Sequence, residues 1–155
     1  MRFLIQVVTR GSVTIEDRQQ AEIGKGFVVL IGVSAEDLAS GRAEEIAERM
    51  TKKMLGLRIF SDENGKTNLS LADVGGALLL VSQFTLYADC TRGNRPGFTR
   101  AGEPEEANNI YEQIVARCRE QVADVQTGVF GADMKVELVN DGPFTILLDS
   151  AELEY

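Results

Sequence analysis

Two uninterrupted apolar runs, Phe27–Val33 and Ala77–Val81, constrain this chain more than any other feature. Neither alternates with polar residues, so neither suits a strand with one wet face. Both read as central strands buried on both sides. Phe3–Val8 is apolar apart from Gln6, and Gly11 allows a turn into the alternating stretch Ser12–Ile15. Ala21–Ile23 reads as a short strand before the turn Gly24-Lys25-Gly26. Ser34 is the expected N-cap of a helix in which Ala39, Ala43, Ile46, Ala47, Met50 and Met54 recur at helical spacing, with Gly56 as its stop. Leu57–Phe60 reads as a short strand. Asp62-Glu63-Asn64-Gly65 is a turn that lacks the later ligands of a calcium loop. Pro104, Glu105 and Glu106 open a second helix, with Ala107, Ile110, Tyr111, Ile114, Cys118 and Val122 as its buried stripe. Gln126–Phe130 reads as extended, and Met134–Val139 and Phe144–Leu148 finish the sheet.

These elements predict one α+β domain over residues 1–155: a mostly antiparallel, barrel-like sheet with two long helices. Two helices do not obviously cover every strand face. A partner subunit is expected to supply the missing cover, which makes a homodimer the expectation.

The chain has no histidine. That removes Ser-His-Asp and Cys-His catalysis and most zinc chemistry. An enzyme built from this sequence works with carboxylates, hydroxyls, lysine, a thiol, backbone amides or groups of its substrate, and no metal or cofactor is expected. Cys90 and Cys118 form no CxxC motif, so neither a disulfide framework nor a zinc site is expected. Cys118 lies on a helix stripe and reads as a small core residue. No apolar run approaches the ~20 residues of a membrane span, and Met1–Gln6 turns polar too soon for a secretory signal. A cytoplasmic location follows as the default. The formal net charge of −8 argues against coating nucleic acid, though not against handling a nucleic-acid end. Arg92, Arg95 and Arg100 gather around Gly93-Asn94 and Pro96-Gly97, as a local positive patch or as a solvated loop.

Three polar interruptions of apolar strands remain: Gln6, Ser82-Gln83-Phe84-Thr85, and Asn140–Thr145 with its Gly142-Pro143 pair. Buried polar groups need partners, so Ser82, Gln83 and Thr85 form either a hydrogen-bonded corner or a pocket wall. Asn140-Asp141-Gly142-Pro143 is good turn chemistry. Equally, glycine and proline present bare backbone, from which a selective site can be made.

Ser82-Gln83-Phe84-Thr85-Leu86 together with Asn140-Asp141-Gly142-Pro143-x-Thr145 resembles the signature pair of the D-aminoacyl-tRNA deacylases, also called D-tyrosyl-tRNA deacylases. The likeness runs through Ile5-Gln6, Gly24-Lys25-Gly26, Arg58-Ile59-Phe60-Ser61, Gly93-Asn94-Arg95-Pro96 and Thr127-Gly128-x-Phe130, nearly the whole chain. The resemblance implies a homodimer that hydrolyses the ester of D-aminoacyl-tRNA, and of mischarged glycyl-tRNA, at the acceptor end. It implies a cis Gly142–Pro143 peptide that reaches into the partner's pocket, where its carbonyls exclude an L side chain. It also implies supporting roles for Gln6, Asn140 and Thr145. Arg92, Arg95, Arg100, Lys52 and Lys53 are candidates for the tRNA, with no DNA and no membrane expected.

Ester hydrolysis needs an attacking oxygen and donors for the developing oxyanion. Backbone N–H groups around Gln83–Thr85 are the natural donors. Thr85 is a possible nucleophile, but no base stands beside it in sequence. A water assisted by the tRNA 2′-OH is the favoured attacker. Two residues depart from the family pattern. Val7 stands where most members carry an arginine thought to brace the Gly-Pro loop, and Phe144 stands where many have valine. A non-enzymatic dimer that binds a small ligand between subunits is the main alternative. A thiol hydrolase built on Cys90 lacks a histidine partner.

Overall fold

The two apolar runs lie side by side as parallel strands. The structure is a computed structural model that describes residues 1–154. Its elements follow in the order β1 (Arg2–Ile15), β2 (Arg18–Ile23), β3 (Gly26–Gly32), α1 (Ala35–Ala39), α2 (Ala43–Leu55), β4 (Phe60–Ser61), β5 (Thr67–Leu69), β6 (Ala77–Ser82), a 3₁₀ turn (Phe84–Tyr87), α3 (Pro104–Gln121), β7 (Val125–Thr127), β8 (Lys135–Asp149) and a second 3₁₀ turn (Ser150–Glu152). β1 organises the sheet. Its first half pairs antiparallel with β3 and its second half with β2, while β8 runs antiparallel along the opposite edge. β6 joins β3 in parallel, with Phe27 opposite Leu78 and Ile31 opposite Ser82, and β7 joins β6 in parallel. The sheet is therefore mixed, with antiparallel pairings the more numerous. It curls until β2 comes against β6 and β7.

Strand alternation explains how both faces of β3 and β6 are covered. Phe27, Val29, Ile31, Leu78 and Leu80 belong to the core shared with Met50 and Met54 of α2 and Ile110, Ile114 and Cys118 of α3. Val28, Leu79 and Val81 belong to a second core with Val8, Val13, Ala21 and Ile23 of the curled β1–β2 hairpin. Each large aliphatic side chain fully withdrawn in this way stabilises the fold by about 1.5–3 kcal/mol. The second cover of β3 and β6 comes from the sheet's own curl, so the burial of these two strands does not by itself call for the expected partner subunit.

Four local readings also change. Gly11 does not turn the chain but stays within β1, paired with Ile23 on one side and Leu138 on the other. The expected strand Leu57–Phe60 begins only at Phe60. The helix expected from Ser34 to Gly56 is two helices, broken where Gly41 takes φ +69°. Ser34 still caps the first, accepting from Asp37 N at 2.9 Å and donating from its own N to Asp37 Oδ2 at 3.0 Å. Finally, Met134–Val139 and Phe144–Leu148 are not separate strands joined by a hairpin turn. They belong to β8, which is one strand with a large bulge.

That bulge is read directly from the register. Val8 pairs with Asn140 and Gln6 with Thr145, so Asp141, Gly142, Pro143 and Phe144 all stand opposite Val7 alone. The Gly142–Pro143 peptide is trans, since no cis peptide bond occurs among the described residues. The cis geometry implied by the resemblance is thus not what this structure has. Gly142 lies at φ +113°, a conformation for which glycine is suited.

Candidate active site

β3, β6 and β7 are parallel, so their carboxyl ends lie at one edge of the sheet. Ligands collect at such edges because the connecting loops diverge there. A cavity of about 410 Å³ opens at this edge. It is lined by Ile31 and Val33 from the end of β3, by Ser82, Gln83 and Phe84 from the end of β6, by Phe130 and Gly131 beyond β7, and by Pro104, Ala107 and Tyr111 of α3. Ser82, Gln83, Phe84, Phe130 and Gly131 also border a neighbouring hollow of about 280 Å³ that extends towards Asp133 and Met134. The Ser82–Phe84 stretch is therefore a pocket wall.

The turn that follows β6 is seated tightly. A Cβ added to Gly32 would fall 3.1 Å from Gln83 O and 3.1 Å from Leu86 Cβ, so glycine lets the turn approach the sheet. Gln83 N donates to Ile31 O at 2.7 Å. The Gln83 amide is consequently committed, which removes it from the expected set of oxyanion donors. Leu86 N donates to Gln83 O at 3.3 Å and Ala88 N to Thr85 O at 3.0 Å. The N–H groups of Phe84 and Thr85 begin the 3₁₀ turn and have no acceptor within it. They are the donors left for an incoming oxygen.

The Thr85 side chain is exposed, and its Oγ1 accepts the side-chain amide of Gln83. An amide is not a base. Among the described residues no carboxylate or amine is hydrogen-bonded to this hydroxyl.

Arg2 locks the far end of the turn. Its Nη1 donates to Leu86 O at 2.8 Å, its Nε donates to Asp149 Oδ2 at 2.8 Å, and its guanidinium lies 4.7 Å over the Tyr87 ring. Burial works to raise the Asp149 carboxyl. The Arg2 hydrogen bond and charge, with the Ala151 N–H, outweigh it and hold the group below the ordinary aspartate range. Tyr87 is pushed well above the ordinary phenol range, first by burial and then by Asp37 and Asp149.

Gln6, Asn140 and Thr145 come together, as expected of supporting residues, but at the bulge and not at the cavity. Gln6 Nε2 donates to Thr145 Oγ1 at 3.4 Å, and Thr145 Oγ1 donates to Asn140 Oδ1 at 3.3 Å. Asn140 Nδ2 donates to Val7 O at 2.9 Å and to Phe144 O at 3.0 Å, which closes the bulge at its neck. Phe144 packs against the main core. Neither hollow bordered by Ser82–Phe84 includes any residue of Asn140–Thr145. Within one chain the two signature segments do not share a pocket.

Arg92 and Arg95 are exposed on the loop, and Arg100 lies 5.9 Å over the Tyr87 ring. Lys52 and Lys53 stand apart, on the last turn of α2. Cys90 is exposed and outside both hollows, whereas burial pushes the Cys118 thiol up to about 12. No three side chains of metal-ligating type converge among the described residues, and no described helix is long and apolar enough to cross a membrane. Sequence reasoning did not assign Phe98, Tyr111 or Arg2 to the site. Phe98 meets Phe84 edge-on at 5.1 Å, and Tyr111 donates its hydroxyl to Leu80 O at 2.9 Å. An isolated phenylalanine in a Gly-, Arg- and Pro-rich loop was the available signal for Phe98.

Comparison with known proteins decides the family. A family model described as D-Tyr-tRNA(Tyr) deacylase matches residues 4–149. The chain belongs to this deacylase family. It is 51% identical over 152 residues to the D-aminoacyl-tRNA deacylase of Clostridioides difficile (strain 630), covering 98% of this chain and 99% of that one. It is 54% identical over 150 residues to the protein of the same name from Koribacter versatilis (strain Ellin345), covering 97% of each. A solved structure described as the c-Myc DNA Unwinding Element Binding Protein superposes with a TM-score of 0.88 at 39% identity, covering 96% of this chain and 98% of that one. A probable eukaryotic D-amino acid tRNA deacylase shares the fold alone, with a TM-score of 0.83 at 16% identity over 95% of this chain and 97% of that one. The cavity at the end of β6 is the candidate active site; of the signature residues, Ser82, Gln83 and Phe84 line it, and Thr85 and Asn140–Thr145 do not.

Proposed function

We propose that this chain hydrolyses the ester between a D-amino acid and the 3′ end of tRNA, and the corresponding glycyl ester, as a cytoplasmic enzyme. The single observation that carries the reading is that Phe84, whose N–H with that of Thr85 opens the 3₁₀ turn, lines a largely apolar cavity, while Thr85 itself lies outside that lining. The ester carbonyl oxygen accepts from these amides. A water assisted by the terminal 2′-OH attacks the carbonyl carbon. The bond from that carbon to the ribose 3′-oxygen then breaks, and the water's proton ends on the 3′-oxygen. The amides contribute most as charge develops on the carbonyl oxygen, because they are fixed before the reaction begins.

Chiral rejection is assigned to the backbone of Gly142 and Pro143, presented by the bulge to the cavity of a partner subunit in a homodimer. The separation of the two signature segments within one chain supports this reading, since a filter must reach the pocket from elsewhere. Lys52, Lys53, Arg92, Arg95 and Arg100 are assigned to the tRNA. The net charge of −8 weighs against the alternative of coating duplex DNA.

The test is release of amino acid from D-tyrosyl-tRNA by the purified protein, run with a chelator and, separately, with a thiol-alkylating reagent. Turnover in both arms is expected. Tight binding of the ester without turnover supports the ligand-binding dimer instead, and loss of turnover on alkylation supports a thiol enzyme.

A further inference from the structure

We propose that Phe98, with Phe84 edge-on beside it, is the stacking platform for the penultimate base of the tRNA, the first base to lie outside the cavity. The proposal rests on the deacylase reading above and adds to it the course of the chain beyond the reacting nucleotide. Among the described residues, Phe84 and Phe98 are the only exposed aromatic side chains, at 56% and 42%. Both line the cavity at the end of β6, and neither belongs to either hydrophobic core. Their rings meet at 5.1 Å with an interplanar angle of 73°. An edge-on contact covers one face of one ring, so faces remain for a third planar group. Base stacking on such rings tolerates any base, which suits an enzyme that meets many tRNAs.

The cavity has a floor and a rim. Ile31, Val33, Ala107 and Tyr111 are buried and close it on the inside. Only a group at which the substrate ends can enter there. The polynucleotide leaves across the exposed rim, formed by Phe84, Phe98, Glu103 and Pro104. Glu103 makes one side of this rim acidic, with Glu105 and Glu106 behind it in the first turn of α3. Phosphates are repelled from that side. The phenylalanine side continues into the loop that carries Arg92 and Arg95, both exposed. Rings for a base with cations near its phosphate are the combination that holds single strands.

Phe98 is held in place although its ring is uncovered. Asp89 N donates to Gly97 O at 2.7 Å and Gly97 N to Asp89 O at 2.9 Å, which closes the loop immediately before it. Ala101 N donates to Phe98 O at 3.1 Å. Beyond it, Ala35 N donates to Arg100 O and Gly102 N to Val33 O, both at 2.9 Å, so the segment is tied to the end of β3. A ring fixed before the substrate arrives loses little freedom on stacking.

The experiment uses two D-tyrosyl-tRNAs that differ only at the penultimate position, which carries its base in one and is an abasic ribose in the other. Each is made by ligating a D-tyrosylated dinucleotide to truncated tRNA, so the phosphates, and with them the charge, are identical. For the unmodified protein, removal of the base is expected to lower kcat/KM about tenfold. Phe98→Leu keeps an apolar side chain but loses the ring, and is expected to shrink that ratio to within about twofold of one. Phe98→Tyr keeps a ring and should retain the ratio. Equal rates on the two substrates with the unmodified protein overturn the platform while leaving the deacylase reading intact. A ratio unchanged in Phe98→Leu, whether or not both rates fall, also overturns it, because the ring then serves as a cavity wall or as a contact for a partner subunit. So does a ratio lost equally in Phe98→Tyr, since a retained ring should still stack. If the unmodified protein hydrolyses neither substrate, the deacylase reading fails and the platform falls with it.

Discussion

At Thr85 the hydroxyl faces an amide and no base, so catalysis is expected to survive its loss. Single-turnover deacylation by Thr85→Ala and Thr85→Val should stay within about tenfold of the unmodified protein, because only positioning is disturbed. A fall to the uncatalysed rate in both folded variants would show Thr85 to be the nucleophile. Arg2 acts differently, by fixing the carbonyl of Leu86 and hence the amides at the other end of the turn. Arg2→Met is expected to lower kcat by about ten- to a hundredfold with KM little changed, and Arg2→Lys should restore part of it. The pH dependence of this clamp has a defined sign. Asp149 is held below the ordinary aspartate range, so its contribution is complete at neutral pH. It is lost as pH falls through the depressed folded value, below the roughly 3.9 of free aspartate. Cys118 stays neutral at physiological pH, and Cys90 lies outside both hollows; alkylation should therefore leave turnover intact. Gln83 and Thr85 were legible in the sequence as polar residues ending an apolar strand. The loss of the Gln83 amide to Ile31 was not, because it depends on the parallel register of β3 and β6.

Among the elements, the β8 bulge is the one to which chiral selectivity is proposed to belong. The sequence announced Asn140–Thr145 as turn chemistry, and that reading was half right: the segment does leave the ladder, yet the strand resumes in line beyond it. What decides between a hairpin and a bulge is the partner, β1, which is long enough to pair on both sides of the excursion. The same length explains why Gly11 is no turn. The turn that does occur, Glu16-Asp17 with φ of +49° and +61°, has the two-residue form favoured in hairpins but not the Asn-Gly chemistry that would have revealed it. Val7, on the strand opposite the bulge, is buried in the core and its carbonyl is clasped by Asn140. Asn140→Ala leaves the Val7 and Phe144 carbonyls without that donor and is expected to cost about 1–3 kcal/mol, together with greater hydrolysis of L-aminoacyl-tRNA. Thermal melting and the D-to-L rate ratio check both effects. Val7→Arg would bury a guanidinium in the core around Val7 and is expected to lower the melting temperature, with no gain in selectivity. Pro143→Ala should reduce chiral discrimination more than D-substrate turnover, read as the same rate ratio.

For the molecule as a whole, periodicity made the α+β class, the two long helices and the central strands legible. The curl of the sheet was hidden because no single segment encodes it. It arises when β2 meets β6 and β7, and it supplies the second cover of β3 and β6. The dimer now rests on the separation of the two signature segments. Mixing a Pro143→Ala subunit with an Arg2→Met subunit should give hybrid dimers whose one fully active cavity, that of the Pro143→Ala subunit, meets the intact Gly142-Pro143 of its partner, so that the D-to-L rate ratio rises above that of Pro143→Ala alone. No gain on mixing would place both motifs in one chain's site. The most direct measurement is the single-turnover rate on D-tyrosyl-tRNA and L-tyrosyl-tRNA charged on the same transcript. Rapid hydrolysis of the D ester, with the L ester cleaved at least about a hundredfold more slowly (~2.7 kcal/mol in the barrier), is the predicted result. Equal rates on the two esters, or none on either, would contradict it.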